Sequence, residues 1–211
     1  MKISITIMAH PKRRQQASRL LAKLSNYPFI QCYITWDEQN DEWHTGERAI
    51  RSGVAAGADW HIVLQDDAIL SDNFYTNVEN ALTYVPSKSL VSFYTGQARP
   101  LKERVAAAVA KAKYASWLRH YILFWGVCVA IPTDHIEAML EFCENRREQY
   151  DTRLGIFYQE NRLPVWYTMP SLVDHDDDLG SLLNHGQDAE RRIAHNFVSG
   201  PVTWNRDQID I

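Results

Sequence analysis

Ile3, Ile5 and Ile7 alternate with Ser4 and Thr6, the period-two pattern of a β-strand rich in branched residues. The alternation ends at Ala9-His10-Pro11, where proline stops the strand and opens a helix. Ala17, Leu20, Leu21 and Leu24 form one apolar stripe along that helix. Ile30, Cys32, Ile34 and Trp36 alternate again and predict a second strand ending at Asp37. A β-α-β unit of this kind is a right-handed crossover, which implies parallel pairing. Residues 38–44 are polar and predict a loop. Thr45 is placed to cap a helix carrying Ala49, Ile50, Gly53 and Val54.

The run Ile62-Val63-Leu64 predicts a buried central strand. A helix over 73–84 follows, with Phe74, Val78, Ala81 and Leu82 inward, and then a strand over 90–94. This is a β-α repeat of mononucleotide-binding type. The alanine-rich stretch 106–115 predicts another helix. Residues 124–132 read as a buried strand that returns to the sheet. Asp134 with Glu137 resembles a capping box before a helix with Ile136, Met139, Leu140 and Cys143 inward. Val165 to Thr168 is a short strand, and the chain from Ser181 is a polar tail.

The chemistry gathers where strands end. Asp66-Asp67 directly follows the central apolar run, and open α/β sheets place ligands at such carboxyl ends. Adjacent carboxylates repel unless a cation or hydrogen-bond donors offset their charge. Hard oxygen ligands suit Mg²⁺ or Mn²⁺ carrying phosphates; the alternative is an acidic turn capping the next helix. His10 with Lys12, Arg13 and Arg14 clusters near a helix N-terminus, a site for a nucleotide base or phosphate or else a solvated basic turn. Arg48 would fall in its helix's first turn, unfavourable against the macrodipole and a hint of a diphosphate contact. Asp151 is either a helix cap or a general base. His175 stands among four acids and would be a neutral ligand if it held a divalent cation.

At 211 residues with 45% apolar and 11% aromatic content, the chain suits one ordered domain. No apolar run approaches the roughly 20 residues that span a bilayer, and the start lacks a signal peptide's cleavage pattern. Cys32, Cys128 and Cys143 are odd in number and widely spaced, which predicts buried thiols in a reducing cytoplasm. The net charge of −4 is unevenly spread. Residues 96–120 hold Arg99, Lys102, Arg104, Lys111, Lys113 and Arg119 against Glu103 alone. With Trp117, Tyr121, Phe124 and Trp125 beside them, these cations could follow a nucleic-acid backbone, or they could be the snorkelling face of a surface helix. Neither a Gly-x-Gly-x-x-Gly nor a P-loop is present, which disfavours dinucleotide and kinase chemistry.

Several blocks together resemble a glycosyltransferase of the GT-A fold, close to the family 2 type and to small enzymes carried by phages and actinobacterial genomes. They are Ile7 to Arg14, Trp36-Asp37, Thr45-Gly46-Glu47-Arg48-Ala49, Gln65-Asp66-Asp67, Trp125-Gly126-Val127, Tyr150-Asp151-Thr152-Arg153-Leu154-Gly155, Pro164 to Tyr167, Pro170 to His175 and Arg192 to Phe197. The resemblance implies an α/β fold with a mixed, mainly parallel sheet flanked by helices in one domain over 1–180. Residues 1–95 would bind the nucleotide-sugar, 96–180 would form the acceptor half with a basic insertion over 99–120, and 181–211 would be the tail.

Gln65-Asp66-Asp67 fills the place of the family's D-x-D, with Gln65 where the first acid stands. Asp67 and His175 would hold Mn²⁺ or Mg²⁺. His10, Pro11, Arg13, Asp37, Arg48, Gln65 and Asp66 would bind a UDP- or GDP-sugar, and Asp151 matches the base of inverting members. Lys102, Arg104, Lys111, Lys113 and Trp125 are the candidate acceptor contacts, with a hydroxymethylated pyrimidine in phage DNA, a virion protein or a glycan as acceptor. The expected setting is the cytoplasm, that of the host if the chain is phage-encoded. The rivals are a nucleotidyltransferase and a non-catalytic nucleic-acid-binding domain.

Overall fold

The computed structural model describes residues 1–27, 30–98, 100–179 and 191–211. In chain order the elements are β1 (Ile3–Ala9), α1 (Arg14–Leu24), β2 (Gln31–Trp36), α2 (Glu42–Ala56), β3 (Trp60–Gln65), β4 (Ala68–Leu70), α3 (Phe74–Leu82) and β5 (Leu90–Ser92). There follow α4 (Lys102–Lys111), β6 (Trp117–His120), β7 (Cys128–Pro132), α5 (Ile136–Cys143), α6 (Tyr150–Glu160), β8 (Val165–Thr168), β9 (Val173–His175) and β10 (Gln208–Asp210). Eight strands form one mixed sheet in the order β10-β6-β8-β5-β7-β3-β1-β2. β1 pairs in parallel with β2 and β3, as the crossover argument requires. β7 runs antiparallel between β3 and β5, and β8 lies parallel to β5.

Strand β1 is buried on both faces rather than one. Ser4 and Thr6 are fully buried, and their hydroxyls are satisfied by His61 Nδ1 at 2.8 Å and Ser52 Oγ at 2.6 Å. A buried hydroxyl is tolerated only when partnered in this way. Helix α2 covers that face of β1 and β3, and Gly53 lies so close to the His61 ring that any Cβ would overlap it. Burial pushes the His61 imidazole down to about 4, so it stays neutral and hydrogen-bonds the Ala49 carbonyl oxygen through Nε2.

Several expectations shift. Asp41, not Thr45, caps α2 by accepting from His44 N at 3.0 Å, while Thr45 is buried within the helix. Both residues can cap, but the earlier one starts the helix, so Arg48 falls beyond its first turn. Strand β7 begins at Cys128, because 121–127 form a loop. Strand β6 lies hidden in the basic segment, where Arg119 and His120 mask the buried Trp117 and Leu118. No capping hydrogen bond from a side chain opens the helical segment at Asp134. Cys128 and Cys143 are buried and Cys32 half-buried, all free thiols.

Within the expected tail, residues 180–190 lie outside the described residues, as does Arg99 of the basic segment. Residues 191–211 are not merely a polar appendage. Ala194 bridges to Gly96, Trp204 packs against Trp117, and β10 extends the sheet beside β6. Among the described residues no helix is long and apolar enough to cross a membrane.

Candidate active site

A cavity of about 320 Å³ opens at the carboxyl ends of β1 and β3. Its floor is Asp66-Asp67, in the turn between β3 and β4. The ribbon of β4 and β9 sets Ala68 opposite His175, and Asp176 N donates to Asp67 O at 2.8 Å. Two three-residue strands therefore bring His175 Nε2 to 3.1 Å from Asp67 Oδ2. On the other side Arg13 Nη1 donates to Asp67 Oδ2 at 2.6 Å and to Asp66 Oδ1 at 2.9 Å. Asp66 Oδ2 accepts from His10 N at 2.7 Å. Arg13 thus neutralises the repulsion expected of adjacent acids.

The two carboxyls respond differently. Burial raises Asp66 above the usual range, against hydrogen bonds from His10 and Arg13. Burial would raise Asp67 as well, but His175 and Arg13 outweigh it and hold the group at about 2.

The family resemblance implies a divalent ion here, and the residues fit one. Asp67 Oδ1 and both ring nitrogens of His175 are buried without a hydrogen-bond partner. The Asp67–His175 contact is the same close approach that holds the Asp67 carboxyl low. Two ligands of one ion at about 2.1 Å and a right angle stand about 3 Å apart, which agrees with the 3.1 Å separation. Among the described residues no cluster of three or more such side chains exists. A two-residue site leaves most positions to water and phosphate oxygens, the normal habit of Mg²⁺.

Asp151 lines the same cavity, in the first turn of α6. Gln149 occupies the cap position, so Asp151 is not the helix cap. Burial raises its carboxyl, opposed by N–H donation from Thr152 and Gly126. The adjacent Tyr150 is fully buried and pegged between two glycines. A Cβ at Gly46 would come within 2.5 Å of the Tyr150 ring, and one at Gly126 within 2.7 Å of Asp151 Cβ. Both glycines are needed to let α6 approach. Gly126→Ala should therefore displace the carboxylate and cut turnover by roughly 10²-fold, the cost of about 1 Å of misplacement. The fold should persist, which the melting temperature can check.

No family model matches the sequence, and no curated protein matches it. Among solved structures the chain is similar to A197 from STIV, with a TM-score of 0.50 and 11% identity over 82% of this chain and 84% of that one. That likeness establishes the fold alone. The chain also overlays on TarS 1–349 from S. aureus, with a TM-score of 0.49 and 10% identity over 80% of this chain and 60% of that one. A mannose-1-phosphate geranyltransferase from Thermus thermophilus gives 0.44 and 11% over 80% and 74%. These two overlays are too loose to carry an argument.

The cavity gathers His10, Arg13, Asp37, Gln65, Asp66, Asp67, Trp125, Asp151 and His175 from the sequence-derived set. His10 Nδ1 is taken up by Lys12 N at 3.1 Å, and Asp37 Oδ1 accepts from Asp41 N at 3.0 Å. Pro11 is exposed outside the cavity as the first residue of a short 3₁₀ turn. Arg48 also lies outside, with Nη1 3.4 Å from the Trp36 carbonyl oxygen. Its place past the first turn of α2 removes the macrodipole argument for it.

Lys102, Arg104, Lys111 and Lys113 do not line the cavity either. Helix α4 packs near β10, at the sheet edge remote from β1 and β3. There Arg104 donates to the Ile211 carbonyl oxygen at 2.8 Å and Lys113 sits over the Tyr114 ring. Of the charged lining residues, Glu42 falls in a stretch expected to be a polar loop, and Arg192 is named only within a matching block, with no role. The Asp41-Glu42 pair was a legible signal for a helix start.

Proposed function

We propose that this chain is a metal-assisted glycosyltransferase of the GT-A type, transferring a sugar from a UDP- or GDP-sugar to an acceptor hydroxyl with inversion. One observation carries the reading: the buried Asp67 meets His175 at 3.1 Å, and both line the same cavity as Asp151. The first pair suits the diphosphate of a donor and the lone acid suits an acceptor.

Asp67 and His175 would hold Mn²⁺ or Mg²⁺, which when bound supplies positive charge to the leaving diphosphate. Arg13 keeps the Asp67 carboxylate fixed and Asp66 neutralised, so the acids stay in place without a ligand. Arg192 adds a guanidinium to the same cavity, suited to phosphate oxygens. Asp151 accepts the proton of the attacking hydroxyl as its oxygen bonds to C1 and the C1–O bond to the diphosphate breaks. Release of nucleoside diphosphate from a panel of UDP- and GDP-sugars tests the assignment. Release with Mn²⁺ or Mg²⁺ and its loss in excess chelator are expected; a panel without any release would sink it.

Glu42 sets the pH range. Burial and then the nearby charge of Asp151 push it up to about 7. The two acids titrate as a pair, so turnover should fall as pH drops through the neighbourhood of 7. Glu42→Gln removes one negative neighbour, and the acid limb of the rate profile should move to lower pH. The linkage sign is opposite for stability. The folded state binds more protons than the unfolded chain between the ordinary carboxyl value of 4.5 and about 7, so stability is lost as pH rises through that window. The same variant should therefore melt higher than the parent at pH 8, by roughly 1–2 kcal/mol after discounting for partial exposure, and equally at pH 4.

A further inference from the structure

A second cavity, of about 380 Å³, meets the first at Gln149 and Asp151. One wall is the 122–124 segment and the other is the face of α6 bearing Thr152, Gly155, Ile156 and Gln159. The first wall is fixed in place. Phe124 stacks on Tyr167 with ring centroids 5.5 Å apart, and the Tyr167 hydroxyl donates to Ile122 O at 2.6 Å while accepting from Phe124 N at 2.9 Å. The second wall is drawn close by Gly155, where a Cβ would stand 3.2 Å from Leu123 N. Asp151 is the sole ionisable side chain among the lining residues.

We infer that this second cavity receives the acceptor, and that the acceptor is an uncharged, hydroxyl-bearing sugar unit with an apolar ring face. The inference rests on the glycosyl-transfer reading and adds the substrate class on the far side of Asp151. Leu123, Phe124 and Ile156 offer apolar surface to the C–H face of a pyranose, and the glutamine amides offer hydrogen bonds to neutral hydroxyls. Among the described residues no lysine or arginine lines this cavity to receive a phosphate. In the step itself the acceptor oxygen bonds to C1, the diphosphate departs with the C1–O bonding pair, and the hydroxyl proton passes to Asp151. Pro100, just before α4, also lines this cavity, while Lys102, Arg104, Lys111 and Lys113 are not among its lining residues.

The test runs the wild-type chain with a nucleotide-sugar panel and three acceptor sets: neutral aryl glycosides, the same glycosides carrying a phosphate, and duplex DNA containing 5-hydroxymethylcytosine. Donor hydrolysis by water is recorded alongside transfer. Transfer to neutral glycosides is expected, with the ratio of transfer to hydrolysis falling at least tenfold in Ile156→Trp, which fills the groove. Gln159→Ala, at an exposed position that spares the fold, should raise acceptor KM several-fold. Donor hydrolysis with transfer only to the phosphorylated or DNA acceptors, with transfer to none of the neutral set, or with neutral transfer indifferent to both variants would overturn the inference and leave glycosyl transfer standing. Absence of hydrolysis for every donor would overturn the underlying reading and this inference with it.

Discussion

Asp151→Asn should lower turnover by roughly 10²–10⁴-fold, the usual worth of a positioned base, while donor affinity stays within a few-fold of the parent. Asparagine keeps the size of the side chain, so the Tyr150 peg and the first turn of α6 are undisturbed. What is lost is the lone pair that takes the acceptor proton. The effect belongs to kcat rather than to KM for the donor, because the donor's diphosphate is assigned to Asp67 and His175 and not to Asp151. Equilibrium titration with a nucleoside diphosphate and initial-rate kinetics separate the two quantities. Near-parental turnover in this variant would remove Asp151 from the chemistry.

Asp67→Ala should abolish transfer, by at least 10³-fold, and should also cost stability. Its carboxylate is buried between Arg13 and His175, and removing one partner of a buried ion pair typically costs about 3–5 kcal/mol. Asp66 retains a hydrogen bond to Arg13, so the guanidinium is not wholly stranded. The stability loss makes activity alone a poor witness. Mn²⁺ titration followed by electron paramagnetic resonance reads the ion directly in whatever fraction remains folded. His175→Ala leaves the Arg13 contacts intact, and it should weaken Mn²⁺ and donor binding together by roughly 10–100-fold. Unaltered Mn²⁺ affinity in both variants would exclude this pair as the ion's ligands.

The contrast between Asp67 and His175 shows where sequence reading works. Asp67 and Asp151 are legible because each adjoins an apolar element, and topology places strand ends and helix starts on the same side of an open sheet. β1, β2 and β3 are legible for the same reason, since long branched runs have few alternatives to burial. His175 is not placed by any period: β4 and β9 are three residues each, too short for alternation to register, and only their pairing brings the imidazole to Asp67. The resemblance to a family supplied that partner where spacing could not.

Arg13 illustrates a different limit. Its charge marked it for a phosphate, but its guanidinium is spent on Asp66 and Asp67, because two carboxylates taken from water need a cation more than solvent needs one. The basic run after Gly96 misled for a related reason. Charge counted along a chain says nothing of which face a helix turns to the site, and α4 stands at the other end of the sheet. Gly126 and Gly46 could not be ranked among glycines until the Tyr150 ring was seen between them.

The central claim is that a sugar passes in one displacement from a diphosphate held near Asp67 to a hydroxyl activated by Asp151. Proton nuclear magnetic resonance of the earliest products, taken before mutarotation, tests it most directly. Donor conversion should yield nucleoside diphosphate and transferred sugar in equal amounts, with the anomeric coupling inverted relative to the donor. Retained configuration would contradict the single displacement, and release of pyrophosphate or nucleoside monophosphate instead of nucleoside diphosphate would contradict glycosyl transfer itself.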